Sequence, residues 1–235
     1  GERIVEGAFH SRARLEGNSV GYDSIVASGS HACILHWVTN DGPISPGDLL
    51  LVDAGVERDS LYTADITRTV PVSGTFTPHQ REVYEAVLEA ADVAFAMVKP
   101  GVSFHEIHDT AMAAIATRVS DWGFLPASLS KSLNKTRQLH RRSMTHGNSH
   151  HLGLDAHDCA HARKERYLQG TLAAGMVFTI EPGLYFQPDD ETVPPEWRGI
   201  GVRIEDNILV TATGAENLSA AIPRSLAAVE DWMAG

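Results

Sequence analysis

The 235-residue sequence is poor in cysteine. Cys33 and Cys159 are the only two, too few for a disulfide framework in a chain of this size, and no CxxC spacing offers a thiolate zinc or redox site. Both read as reduced core thiols. No apolar run approaches the roughly 20 residues that a bilayer-spanning helix needs, and the charged start over residues 1–14 is not the pattern of a secretory leader. Basic side chains are scarce too: 19 Lys and Arg face 30 Asp and Glu, for a net charge of -11. Without a basic cluster there is nothing to grip a phosphate backbone. Nucleic acid and membrane are therefore excluded as expected partners, and a cytoplasmic location is expected. With 43% hydrophobic and 21% charged residues the composition is that of a folded globular chain, which excludes disorder. The chain begins with Gly1 inside a helical pattern (Ile4, Val5, Ala8 and Phe9 on one stripe), so the natural protein is expected to extend upstream.

Residues 24–36 read as short strands broken by Ser28, Gly29 and Ser30. After a dense turn signal at residues 41–47, the apolar run Leu49-Leu50-Leu51-Val52 reads as a strand buried on both faces that delivers Asp53 at its end. In the β-rich stretch 61–72, a period of two puts Asp65, Thr67 and Thr69 on one face. Thr77-Pro78 opens an amphipathic helix carrying Val83, Val87, Leu88, Ala91, Ala94, Phe95 and Val98, which Pro100-Gly101 ends. Ser103, with Glu106 three residues on, starts a second helix striped by Phe104, Ile107, Ala111, Ile115 and Val119. Residues 126–143, with Lys131, Lys135, Arg137, Arg141 and Arg142, read as an exposed helix or loop. Strands return at 176–180 and 200–210, where alternation places Arg203 and Glu205 side by side on one face, and residues 225–233 form a last short helix. The order of elements predicts an α+β domain with helices packed on the outer face of a curved antiparallel sheet.

The least ordinary segment is the histidine-rich run containing His146, His150, His151, His157 and His161. His146 and His150 have zincin-like spacing, but Gly147 stands where that motif requires Glu, and the glycines at 147 and 153 place the run on a loop and strand lining a cavity. The histidines at 10, 31, 79, 105, 108, 140 and 161 read as surface or structural. Taken singly, Asp53, Asp65, Glu181 and Glu205 each have an ordinary explanation as turn or strand-end residues. Together, four carboxylates in apolar strand surroundings would repel one another and take up protons, whereas two divalent cations would cancel them and leave a neutral imidazole to complete the shell. Several oxygens and one nitrogen suit Mn²⁺ or a similar ion.

Five blocks carry a resemblance to a known family: Leu51-Val52-Asp53-Ala54-Gly55, Thr63-Ala64-Asp65-Ile66-Thr67-Arg68-Thr69, the run from His146 through Asp158, Thr179-Ile180-Glu181-Pro182-Gly183-Leu184-Tyr185, and residues 198–206. In order and content they resemble the pita-bread metallopeptidases, and within them the Xaa-Pro aminopeptidases. The resemblance implies a pita-bread fold with pseudo-two-fold halves, a catalytic domain spanning residues 1–235, and a homo-oligomer. Members of this branch carry an N-terminal domain that has no counterpart within these residues. By resemblance Asp53, Asp65, His150, Glu181 and Glu205 are ligands of two divalent metal ions, Mn²⁺ foremost with Co²⁺ or Zn²⁺ as alternatives. Glu181 is also a proton shuttle. His36 and His157 hold the substrate and stabilise the tetrahedral intermediate, Arg203 supports a bridging acid, and His146 and Tyr185 complete the substrate site. The implied reaction is hydrolysis of an N-terminal Xaa-Pro bond, in a peptide with proline at its second position, by a hydroxide bridging the two ions. Alternatives are a prolidase cleaving Xaa-Pro dipeptides and a non-catalytic binding module on the same fold.

Overall fold

The computed structural model describes residues 1–134 and 136–235. It opens with α1 (Glu2–Glu16), β1 (Ser19–Val20), β2 (Ile25–Ser28), a 3-10 turn (Gly29–Cys33), β3 (Leu49–Ala54), β4 (Val56–Glu57) and β5 (Ile66–Pro71). The long helices α2 (Pro78–Ala96) and α3 (Phe104–Asp121) follow, then the single turns α4 (Leu129–Ser132) and α5 (Lys164–Tyr167). The chain closes with β6 (Val177–Ile180), β7 (Gly183–Tyr185), β8 (Gly201–Arg203), β9 (Asp206–Val210), β10 (Ala215–Asn217) and α6 (Leu226–Ala234).

Both long helices start where their capping chemistry dictates. Thr77 Oγ1 accepts from Gln80 N while the Gln80 side chain accepts from Thr77 N at 2.9 Å, and Glu106 accepts from Ser103 N at 3.2 Å. The predicted stripes face inward: Val83, Val87, Ala91 and Ala94 of α2 and Ile107, Ala111 and Ile115 of α3 are buried, in one core with Phe178, Ile180, Leu184, Ile204 and Ile208 from the strands. Each buried Val, Leu, Ile or Phe side chain contributes on the order of 1.5–3 kcal/mol by leaving water. None of the described helices is long and apolar enough to cross a membrane.

The strands form two three-stranded antiparallel sheets, β2-β3-β5 in the first half of the chain and β10-β9-β6 in the second, with the ribbons β7-β8 and β1-β4 beside them. Hydrogen bonds spanning well over a hundred residues of sequence join the halves. Glu205 N donates to Thr67 O at 3.1 Å, and Asp65 N donates to Asn207 Oδ1 at 3.1 Å while the Asn207 amide donates back to Asp65 O. Arg68 donates to Glu205 O and to Asp206 Oδ1, both at 2.7 Å.

Several local expectations are corrected. α1 is present, but Ile4 is 75% exposed and Ala8 is exposed, while Glu2 and Ala13 are buried. The Glu2 carboxylate finds enough donors to go under, which apolar periodicity does not register. Residues 29–33 are a 3-10 turn rather than strand. The stretch 200–210 is two strands, because the chain passes from pairing with β7 to pairing with β6 at residues 204–205. In β3, Leu50 and Val52 are only half-buried. Cys33 is a buried thiol, but Cys159 is exposed on a turn. Segment 126–143 is helical turns and loop with Lys131, Arg137 and Arg142 exposed, as expected, while Ser132, His140 and Ser143 are buried; Lys135 lies outside the described residues.

Gly55 explains how the ends of β3 and the approach to β5 meet. A Cβ there would collide with the carbonyl oxygen of Ala64 and with the Tyr22 ring, so the close approach that sets Asp53 beside Asp65 depends on a residue without a side chain. Gly55→Ala is expected to destabilise the fold by about 1–3 kcal/mol, read as a lower urea midpoint at unchanged m-value; an unchanged midpoint would show that the backbones separate at no cost.

Candidate metal centre

Asp53 ends the central strand β3 and pairs in register with Ile25 on one side and Thr67 on the other. Asp65 precedes β5 and is held by the Asn207 side chain on both its N–H and its C=O. Glu205 sits in the gap between β8 and β9, and Glu181 follows β6. His150 comes from the histidine-rich segment, which is loop rather than strand, tied to β6 through Thr179 N donating to His150 O and Glu181 N donating to Asn148 O. Ligating oxygens or nitrogens of Asp53, Asp65 and Glu205 lie within 4.8 Å of one another, as do those of His150, Glu181 and Glu205 and those of Asp65, His150 and His157. All five predicted ligands thus face one cavity of about 510 Å³, whose lining also includes His36, His146, His157 and Arg203.

His150 Nδ1 donates to the His151 carbonyl, which leaves the Nε2 lone pair of a neutral ring facing Asp65 Oδ2 at 3.3 Å, Glu181 Oε1 at 3.5 Å and Glu205 Oε1 at 3.9 Å. A lone pair among carboxylate oxygens is stable only with a proton or a cation between them. This is the arrangement of a metal-ligating histidine whose far nitrogen is fixed by a carbonyl. Burial pushes Glu181 up to about 7 against the pull of His150 and Arg203. Glu205 is raised well above the usual carboxylate range by burial and by Asp65, Glu181 and Asp53. Burial also raises Asp53, against the opposing charge of Arg203. For His150, burial works downward, but Asp65 and Glu181 win and raise it.

Arg203 does not orient Glu205 as its strand position suggests. Its Nη2 donates to Asp53 Oδ2 at 2.6 Å, its Nη1 to the Tyr185 hydroxyl at 3.1 Å and its Nε to Thr67 Oγ1 at 3.1 Å. Thr67 in turn donates to Glu205 Oε2 at 2.7 Å, so the guanidinium reaches Glu205 through a hydroxyl. Tyr185 is 3% exposed, and its hydroxyl lies 2.8 Å from His146 Nε2; the structure places it behind the cavity wall, supporting His146 and Arg203. His146 Nδ1 donates to Gly147 O, and burial together with Arg203 pushes this ring down to about 3. His157 and His36 are both exposed at the mouth of the cavity, with the His157 ring 4.2 Å from that of His150.

Two contributors escape the sequence reading. The Tyr22 hydroxyl stands 2.6 Å from both Asp53 Oδ1 and Asp65 Oδ1, yet it has one proton to donate. Asn148 is fully buried, donates through its N–H to His108 Nδ1 and has an Oδ1 with no partner among the described residues. His108, at first sight an ordinary surface histidine, therefore props the loop that carries His150.

Residues 2–212 match metallopeptidase family M24. The chain belongs to that family. It is 59% identical over 235 residues to Xaa-Pro aminopeptidase 2 of Streptomyces coelicolor, covering 99% of this chain and 49% of that protein. Against Xaa-Pro aminopeptidase of Escherichia coli it is 40% identical over 233 residues, covering 99% and 52%. The chain thus spans about half the length of the curated relatives it matches. Among solved structures it superposes with a TM-score of 0.92 and 39% identity on an Escherichia coli aminopeptidase P variant in complex with substrate. The TM-score is 0.93, with 38% identity, for Pseudomonas aeruginosa aminopeptidase PepP. The chain covers 99% of itself and 52% of the other chain in both superpositions. The fold of this M24 chain is therefore the pita-bread fold that its motifs imply.

For an M24 metallopeptidase, a cluster of carboxylates around a lone-pair nitrogen is a fitting cradle for divalent ions, and it sets how the metal-free chain responds to pH. Glu181 and Glu205 are raised in the folded state, so between about pH 4.5 and 7 the native chain holds protons that the unfolded chain has released. Stability is then fully present below the unfolded value and falls as pH rises through the folded one. Raised His150 acts in the same direction. The lowered His146 and His108 act the other way up to about pH 6.5, so the carboxylate contribution is read against a Glu181→Gln variant, which carries no proton to lose. Relative to that variant the metal-free chain is expected to lose on the order of 2–3 kcal/mol between pH 5 and pH 8, seen as a melting-temperature difference that shifts against the wild type as pH rises; a difference that does not change with pH would contradict the charge crowding.

Proposed function

We propose that residues 1–235 form the catalytic domain of an Xaa-Pro aminopeptidase, which releases the residue before proline at the N-terminus of a peptide. What carries this reading is the overlap of three potential metal-binding groups, linked pairwise through Asp65, His150 and Glu205. The identity to curated Xaa-Pro aminopeptidases supports the substrate class.

In this reading Asp53, Asp65, His150, Glu181 and Glu205 hold two divalent ions, with Mn²⁺ favoured because four of the five donors are carboxylates. Such a pair, when bound, would lower the pKa of a water toward neutrality and polarise the scissile carbonyl. The chain's own side chains do the rest. Arg203 fixes Asp53 through a charge-assisted bond of 2.6 Å and, through Thr67, restrains Glu205. Glu181 lines the cavity beside His150 and Glu205, placed to take a proton at its carboxylate from the attacking water and to return it to the leaving nitrogen. His157 and His36 reach the cavity from opposite sides of the sequence and can donate to the carbonyl oxygen as it gains charge. The proline nitrogen carries no N–H, so the site must hold its substrate without that donor, and imidazoles aimed at the carbonyl meet the requirement.

The test is metal analysis joined to hydrolysis of Xaa-Pro-Xaa and Xaa-Pro peptides by the chain and its Asp65→Ala variant. The tripeptide should be cleaved before proline, and the variant should lose metal and activity together, by more than the roughly 10–100-fold typical of removing an outer-shell partner. Activity that survives without bound metal would reject the mechanism, and cleavage of dipeptides alone would favour a prolidase.

A further inference from the structure

The carboxylate of Glu2, in the first turn of α1, is fully buried. Its Oε1 accepts from Ser28 N at 2.8 Å and faces His31 Nδ1 at 2.9 Å. Its Oε2 accepts from Gly42 N at 2.7 Å and from Trp37 Nε1 at 2.9 Å. An ionised carboxylate offers about four lone-pair positions, and here all four are engaged by one segment, residues 28–42. The donors come from both ends of that segment and from its middle, so Glu2 closes it into a loop.

Inside the loop the His31 ring stacks on the Trp37 indole, with centroids 3.9 Å apart and planes 27° apart. With these two rings drawn toward Glu2, the residues around His36 are displaced the other way: Leu35, His36 and Val38 line the metal-centre cavity. A second carboxylate of α1 adds to the hold, since Glu6 Oε1 accepts from Asn40 Nδ2 at 2.8 Å. Asn40 is itself fully buried, with a left-handed backbone at φ 48. The far side of the loop is secured from the other half of the chain by Gln187 Nε2 donating to Cys33 O at 2.8 Å. His36 makes no side-chain hydrogen bond of its own among the described residues, so its position depends on the loop that carries it.

We propose that Glu2 is a positioning residue, which acts through residues 28–42 to hold His36 at the substrate carbonyl; the claim rests on the functional reading given above. Glu2→Gln places an amide NH₂ against one pair of N–H donors, which frees that part of the loop and leaves the metal ligands untouched.

The experiment is a double-mutant cycle on the metal-loaded chain with an Xaa-Pro-Xaa peptide, comparing wild type, Glu2→Gln, His36→Ala and the double variant, with metal affinity measured alongside. Glu2→Gln should lower kcat/KM about 10-fold or more with metal affinity within about twofold, and in the His36→Ala background it should change kcat/KM by less than about twofold. An equal loss in both backgrounds, or no loss in the wild-type background, overturns the proposal. Should Glu2→Gln not fold, Trp37→Phe keeps the ring stack while removing one donor, and the same coupling to His36 is expected at smaller size. If the metal-loaded wild type cleaves no Xaa-Pro peptide, the functional reading falls, and hydrogen exchange decides the positioning claim. Glu2→Gln should then speed exchange of the amides of 28–42 while those flanking Asp53, Asp65 and Glu205 stay protected, and uniform acceleration overturns it.

Discussion

Asp53, Asp65 and Glu205 are all buried, and Glu181 joins them at the same cavity. Taking an ion of this kind out of water costs several kcal/mol unless an opposite charge comes with it. Among the described residues that line the cavity, Arg203 is the only arginine or lysine, and it is spent on Asp53, Tyr185 and Thr67. The remaining negative charge has only protons and imidazoles to meet it, which is why Glu181 and Glu205 are pushed upward and His150 is raised with them. The fold has concentrated charge that only cations can relieve well, and most features of the site follow from that.

Crowding of this sort needs a scaffold that does not relax. Three of the acids are therefore held by their backbones: Asp65 by Asn207, Glu205 by Thr67 and Arg68, Glu181 by Asn148. The two small sheets share these bonds, so the halves of the chain cannot separate without releasing the site. Gly55 plays the complementary part, letting the Ala64 carbonyl come close enough for β3 and the approach to β5 to present their acids together.

How much of this was legible in the sequence depends on the range of the interaction. The long helices announce themselves, because capping boxes and apolar stripes are local. Asp53 is conspicuous because an apolar run leads to it, and the family motifs nominate acids that do face one cavity. What was hidden is long-range. Strand alternation sets Arg203 beside Glu205, but the pairing changes between β8 and β9 and the guanidinium bonds Asp53 instead. Tyr22, Asn207 and Arg68 act across tens to well over a hundred residues, and no periodicity marks them. The buried face of α1 escapes apolar periodicity because a carboxylate, Glu2, is what it buries.

The number of cations the cluster accepts decides why these acids meet. Native mass spectrometry of the intact chain titrated with Mn²⁺ counts them directly. Two ions per chain, with no second ion retained once Asp53 is replaced by alanine, is the result expected from carboxylates arranged around two neighbouring positions. A chain that stays metal-free, or one that takes up ions at the same stoichiometry with Asp53, Asp65 and Glu205 all replaced, would show that the acids meet for some other reason.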